Sequence, residues 1–475
     1  MKRIKDQILR KARIILPVMM ILGITLTSCD IPDYINESPN AITEENVRTV
    51  DGVNGLFIGM QVAVADFTAR DHSRIPSVWT WQLGAPPGIA RAQMIAWNGY
   101  QQNRDGETDD MWLMAYRGVK LCNDLIAFTP DVIFSPTGNT QIQNTIIGAA
   151  KTYKAYFLGE LAAFYGSIPI DIVGIEPSQF VSQDAAYAEV QRLLDEALVH
   201  FADAGPVERD LNFGGDGAMW TEAANSIKAR YALHTKDYQN ALTYANSGIS
   251  SADGNLYGIY NDAAGEYASW GMWVQNEGEP LRAEMTFVRL LKREDGDARL
   301  AEYFTPAAAA EGEYYGYAVH PGKETNATEE ERDIEMTARM NKYSGFDEDF
   351  PVIRYAENLL IRAECKARTG DLPGAVSDVD IVRTMNGLPE LAESTLGIDV
   401  NDQAAVIQEI LDQKHMELYL EAQSYHDMRR TGTMPDPVPE TNFRFIYPES
   451  ELNANPYVPA DNDNLVYTLL SDDYK

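Results

Sequence analysis

The sequence predicts a mainly α protein: helix pairs form a scaffold, and long loops with a few short strands occupy one side of it. Three observations carry this. Apolar residues recur at three- and four-residue steps through several long segments, a helix–turn–helix unit repeats at an offset of 134 residues, and the stretches between are long and aromatic. The 475 residues exceed what one hydrophobic core usually serves, so a multilayer body or two to three smaller ones is expected. With 45% hydrophobic, 10% aromatic and 23% charged residues, the composition is globular. Lys and Arg total 39 against 71 Asp and Glu, a net charge of −32. That balance excludes a nucleic-acid surface, which would have to be built against the average field.

The chain begins with Lys2, Arg3, Lys5, Arg10, Lys11 and Arg13 against Asp6 alone, followed by an uncharged run from Ile14 to Leu26. This reads as the two parts of a signal peptide. The run makes roughly 20 Å of helix, short of the roughly 30 Å of a bilayer core. Leu26-Thr27-Ser28-Cys29 closes it like a bacterial lipobox, which predicts lipidation at Cys29. Cleavage after residue 28 removes six basic residues and one acidic residue, leaving 33 against 70 and a charge of −37. Acyl chains contribute about 0.8 kcal/mol per buried methylene, so an acylated Cys29 needs no spanning segment. Residues 29–45, polar and proline-bearing, read as a tether, and 46–475 as the body. A helical part extends to about residue 252, with a loop-rich and C-terminal part from about 253.

Within the body, Ile147, Ala150, Tyr153, Phe157, Leu158, Leu161 and Phe164 mark a helix over 144–165, stopped by Gly166 and Pro169. Tyr187, Val190, Leu194, Ala197 and Phe201 mark another over 184–204, and a third is expected over about 221–235. Lys228-Ala229-Arg230-Tyr231-Ala232-Leu233 leads through Lys236-Asp237-Tyr238 to Ala241. Arg362-Ala363-Glu364-Cys365-Lys366-Ala367 leads through Gly370-Asp371-Leu372 to Ala375. Small Ala residues where two helices cross, on either side of a polar turn, make a tetratricopeptide-like pattern, and such units must stack to bury their faces. A last helix is expected from Ala404 to about Arg430. Residues 66–110, 253–350 and 433–475 are aperiodic and rich in Gly, Pro, Asn, Asp, Trp and Tyr; short strands or hairpins are expected there.

Several stretches, in order, resemble the SusD/RagB family of surface lipoproteins of Bacteroidetes. They are the lipobox, Ala155–Leu158 through Tyr165–Pro169, Arg354–Glu364, Met416–Glu421 followed by Tyr425, Asp427, Arg429 and Gly432, and Ile446–Pro456. Ala422-Gln423-Ser424 departs from the family's commoner Gly followed by His or Arg, and Lys414-His415 from a commoner basic pair. The resemblance implies a non-catalytic protein held on the outer membrane by its lipid and facing the cell exterior. It would capture oligosaccharides, or peptides, and pass them to a SusC-like TonB-dependent transporter. No cofactor is expected.

Catalytic and metal patterns are mostly missing. Asp109-Asp110, Glu329-Glu330-Glu331 and Asp347-Glu348-Asp349 read as solvated loop faces rather than a glycosidase pair, whose members come from separate elements. The six His residues form no H-E-x-x-H set, Gly214-Gly215-Asp216-Gly217 lacks phosphate-loop spacing, and no G-x-S-x-G elbow occurs. Asp461-Asn462-Asp463-Asn464 has calcium-like composition without EF-hand spacing, and no metal is expected. Cys122 and Cys365 read as two buried, unpaired thiols.

The aromatic loops carry the functional signal. Sugar rings stack their C–H faces on Trp and Tyr, and their hydroxyls need side-chain donors and acceptors. Trp79, Trp81, Gln82, Arg91, Trp97, Asn98 and Tyr100 make one such mixture, and Trp270, Trp273, Gln275 and Asn276 with Tyr314, Tyr315 and Tyr317 make another. The competing reading is that each Trp pins its loop to the helices. At the level of function, a helical-repeat adaptor without a small ligand is the rival, and a glycoside hydrolase a more distant one.

Overall fold

A computed structural model describes residues 44–104, 106–172, 176–320, 324–435 and 444–459. Cys29, the leader, all but the end of the tether and Asp461–Asn464 lie outside the described residues. Residues 44–47 form one helical turn in the unit that ends at Val47, and the body is the unit that begins at Arg48.

Ten helices form the body's scaffold: α1 (Val50–Thr68), α2 (Glu107–Phe128), α3 (Asn139–Tyr165), α4 (Gln183–Phe201), α5 (Gly217–His234), α6 (Tyr238–Ala245), α7 (Tyr355–Thr369), α8 (Leu372–Met385), α9 (Gln403–Glu417) and α10 (Gln423–Thr431). Each packs on its neighbour in sequence or on the next pair, α1 on α2, α2 on α3, α3 on α4, α4 on α5, then α6 on α7 and α7 on α9. The main apolar core follows α1 to α5 and reaches α10, and a second fills the angle between α7, α8 and α9. No helix among the described residues is long and apolar enough to cross a membrane.

Side-chain caps set the helix starts. Ser182, Asp216, Asp237, Asp371 and Asp402 each accept a hydrogen bond from a backbone N–H of the first turn. α3 begins five residues earlier than the expected start at residue 144. Its first turn is polar, but the Asn139 side chain accepts from Phe134 N–H at 2.7 Å, and Gln143 Nε2 donates to the carbonyls of Thr129, Pro130 and Val132. At Gly159, α3 passes so close to α5 that a Cβ would lie 2.1 Å from the Tyr231 ring.

The internal repeat is real at the level of hydrogen bonds. After α5, the N–H of Lys236 bonds Leu233 O and that of Asp237 bonds Ala232 O; after α7, Gly370 N–H bonds Ala367 O and Asp371 N–H bonds Lys366 O. Every one of these positions is related by the same 134-residue offset. The turn residue is left-handed in both, φ +59° at Lys236 and +97° at Gly370, a region glycine enters without strain. Ala229, Ala241, Ala363 and Ala375 are fully buried at the crossings.

The aperiodic stretches contain the expected short strands and more helix than expected. Among the described residues, four antiparallel pairs form: Leu83–Gly84 with Arg282–Ala283, Ile168–Pro169 with Phe180–Val181, Leu256–Gly258 with Phe350–Ile353, and Phe304–Thr305 with Arg339–Met340. Short helices at Asp71–Trp79, Ser269–Glu277 and Met285–Leu291 lie between them. These helices are too short to show a repeating stripe.

The helix expected to run from 404 to about 430 is broken. α9 stops at Glu417, Leu420 takes φ +63°, and α10 restarts at Gln423. The freed backbone groups are captured from the far end of the sequence. The Gln82 side chain accepts from Leu420 N–H at 2.9 Å and donates to the carbonyls of His415 at 2.9 Å and Leu418 at 3.3 Å, and Arg354 donates to Glu417 O at 2.7 Å. Gln82, expected beside a ligand, is fully buried as the staple of this break.

Cys122 and Cys365 are both buried and unpaired. Cys365 sits among Ala229, Ala232, Ala241 and Ala245, and burial pushes its thiol up to about 12, so the reactive thiolate is scarce at neutral pH. Mass spectrometry after iodoacetamide treatment should find neither residue alkylated in the native ectodomain and both alkylated in denaturant. Rapid native labelling of Cys365 would contradict this packing.

Candidate ligand-binding site

Within the two aromatic mixtures the leading ligand candidates are Trp79, Trp81, Arg91, Trp97, Asn98, Tyr100, Trp270, Trp273 and Tyr315, and six of these nine lie inside the body. Trp79 is fully buried against Tyr100, Tyr425 and Phe445, with ring centroids 5.8, 5.6 and 5.1 Å away. Trp97 donates its indole N–H to Glu107 at 2.9 Å, and Tyr100 donates its hydroxyl to Pro435 O at 2.9 Å. Asn98 closes its own loop, accepting from Ala85 N–H at 3.0 Å and donating to Ala85 O at 2.8 Å. Trp81 stacks on His320 at 4.8 Å, and Trp270 donates to Ser73 Oγ at 3.0 Å. The physical reason is area: burying about 150 Å² of ring contributes about 4 kcal/mol, which fixes a loop that has little other apolar surface. These six side chains pin their loops to the helices.

The other three, Arg91, Trp273 and Tyr315, reach the surface. Tyr315 lies under Lys292, whose ammonium is 5.6 Å from its ring, and is not among the residues of the cleft described next. Trp273 and Arg91 meet there: Trp273 forms a wall, and Arg91 pairs at 2.6 Å with Glu277, which lines the rim.

This cleft has a volume of about 420 Å³. Helix Ser269–Glu277 supplies Met272, Trp273, Asn276 and Glu277. The C-terminal end of α1 supplies Asp66, the turn after it Arg70, and helix Asp71–Trp79 supplies Arg74; Tyr260 and Tyr267 close the far side. Helix Ser269–Glu277 lies flat on its support because Gly271 meets Gly345, where a Cβ would be 1.9 Å from a carbonyl oxygen. Trp270 and Trp273, three residues apart, share one face. Trp270 is buried and stands edge-on to Trp273 at 5.6 Å, leaving Trp273 half-buried at the opening.

Polar contacts fix these walls. The Arg74 guanidinium lies 4.8 Å from the centre of the Trp273 ring and 5.5 Å from that of Trp270, and donates to Ser269 O at 2.7 Å. Asp66 accepts from Ser269 Oγ and from Arg70 Nε, both at 2.8 Å. Tyr260 donates its hydroxyl to Ala65 O at 2.6 Å, and burial pushes its phenol up to about 12, so it stays protonated. Tyr267 stands edge-on to Phe346 at 5.4 Å and is 45% exposed. The result is a trough with aromatic faces and a rim of hydrogen-bonding groups.

Of the residues expected at a ligand face, Trp273 and Asn276 line this cleft and Arg91 reaches its rim through Glu277, whereas Asp66, Arg70, Arg74, Tyr260 and Tyr267, which also line it, were not among those expected. A signal existed: Asp66, Arg70 and Arg74 are spaced four apart, and the two tyrosines precede the Trp pair in one aperiodic stretch.

The charged residues in 354–364 and 417–430 lie elsewhere, in a buried network. Arg354 bonds Glu421 at 2.6 Å and Glu417 at 3.0 Å, Arg230 bonds Glu357 through two contacts of 2.6 Å, and Arg430 bonds Glu364 and Asp427. Burial alone would raise the pKa of Glu364, but Arg430, Lys414 and Arg368 outweigh it and hold the carboxyl ionised, far below the usual range. No group of three or more His, Cys, Asp or Glu among the described residues could hold a metal ion.

The SusD family profile matches residues 295–461. No curated protein sequence matches the chain. Among solved structures, a SusD/RagB family protein from Bacteroides thetaiotaomicron is similar with a TM-score of 0.67 at 17% identity, over 88% of this chain and 99% of that one. A SusD homolog from Bacteroides fragilis has a TM-score of 0.66 at 18% identity, over 89% and 100%, and a chitin-binding protein 0.65 at 18%, over 85% and 94%. Residues 295–461 are thus a SusD family segment, and the body that contains them has the SusD/RagB fold.

Proposed function

We propose that this chain is a non-catalytic surface lipoprotein, anchored through Cys29 in the outer membrane, that captures oligosaccharides outside the cell and delivers them to a SusC-like transporter. The observation that carries the ligand class is the trough at Trp273. Aromatic faces with convergent polar groups suit a sugar ring with its hydroxyls, and a volume of about 420 Å³ accommodates a few residues of a glycan. The contacts that hold Arg74, Asp66 and Tyr260 favour this over an adaptor surface, because those side chains have less entropy left to lose on binding. Catalysis is disfavoured by the carboxylates themselves: Asp66 is held by Arg70 and Glu277 by Arg91, which leaves Glu266 without a second free carboxylate to work with.

The test is calorimetric titration of the ectodomain against a panel of oligosaccharides and peptides. The chitin-binding structural neighbour makes chito-oligosaccharides the first members of that panel. Heat for at least one glycan, without turnover, is the expected result. Silence for every glycan and heat for peptides would transfer the site to the peptide-binding branch.

A further inference from the structure

We infer that the trough sorts glycans by charge, taking neutral and amino-bearing chains and refusing those that carry uronate or sulfate groups. This rests on the reading of the trough as a glycan site. Five charged side chains line it, Asp66, Glu266 and Glu277 against Arg70 and Arg74. Both cations are already engaged. Arg70 is paired with Asp66 at 2.8 Å, and Arg74, with its side chain only 8% exposed, is paired with Asp71 at 3.4 Å and stacked on Trp273. The nearby Arg91 is held by Glu277.

The anions are not balanced in the same way. Glu266 is exposed and forms no ion pair among the described residues. An incoming carboxylate or sulfate would lose water and find only cations whose charge is already neutralised, inside a body that carries 33 basic against 65 acidic residues, a net charge of −32. An ammonium would find the opposite: the Glu266 carboxylate and the exposed ring of Tyr267, which attracts cations. The Debye length is about 8 Å at physiological salt, so the preference acts at the trough and weakens as salt rises.

A printed array of neutral, amino-bearing and uronate- or sulfate-bearing glycans, probed with the intact ectodomain, tests this. Bound spots confined to the neutral and amino-bearing classes are expected. For a bound amino-bearing chain such as a chitosan oligomer, affinity should exceed that of its N-acetylated counterpart about threefold at 20 mM salt. That ratio should approach one at 500 mM salt and should narrow in Glu266→Gln. Binding of acidic glycans as tight as that of neutral ones overturns the charge inference while leaving the glycan site standing. An array with no bound spot in any class overturns both.

Discussion

Arg230→Met should cost the body about 3–5 kcal/mol, the largest single-residue loss anticipated outside the apolar core. Arg230 on α5 and Glu357 on α7 are both almost fully buried and joined by two bonds of 2.6 Å; the guanidinium also donates to Val352 O at 2.6 Å and lies 3.6 Å from Glu160. Burial works against the charge on Arg230, but Glu357 and Glu160 outweigh it and hold its pKa above the ordinary arginine value. Without the guanidinium, Glu357 is a buried charge with no counter-ion. Replacing both partners, Arg230→Met with Glu357→Leu, removes the charge with its counter-ion and should recover most of the loss. Urea unfolding of the three variants reads the result. A single variant within about 1 kcal/mol of wild type, or a double variant no better than the single, would show that the pair does not tie α5 to α7.

That pair also marks the boundary between what the chain displays in its sequence and what it conceals. The repeat is legible because everything it needs is local: a left-handed turn residue at Lys236 or Gly370, a capping Asp one residue later, and Ala at the crossing. The SusD/RagB resemblance is legible in other stretches, Arg354–Glu364 and Met416–Glu421, which hold buried ion pairs. The break between α9 and α10 is hidden, because the apolar run Leu418-Tyr419-Leu420 continues across it and its staple, Gln82, lies more than 330 residues away in sequence. The fate of each tryptophan is hidden for a chemical reason. A ring that stacks on sugar and a ring that pins a loop look alike until the partner of the indole N–H is known, and Glu107 for Trp97 and Ser73 for Trp270 are tertiary neighbours. The four-residue spacing of Asp66, Arg70 and Arg74 is visible in the sequence, but the helix break at Ala69–Arg70 between them and their meeting with Trp273 about 200 residues later are not.

Trp273→Ala should weaken binding of any oligosaccharide that titrates into the trough at least tenfold, a loss of about 1.4 kcal/mol or more, because a rigid aromatic wall is where binding energy concentrates. Its neighbour separates binding from folding. Trp270 is 1% exposed and hydrogen-bonded to Ser73, so Trp270→Ala should lower the melting temperature, whereas the half-buried Trp273 should leave it within a few degrees of wild type. Arg74→Lys completes the set. Lysine keeps the charge but loses the planar fork that covers the Trp273 ring and reaches Ser269 O, so the ring becomes free to turn and affinity should fall severalfold. If Trp273→Ala bound glycan as well as wild type while Tyr315→Ala did not, the ligand would lie on another face of the molecule. If all three substitutions at the trough weakened binding in the order Trp273→Ala, then Arg74→Lys, with Trp270→Ala acting through stability, then the stacked Arg74–Trp273 pair would be the element that orients the sugar.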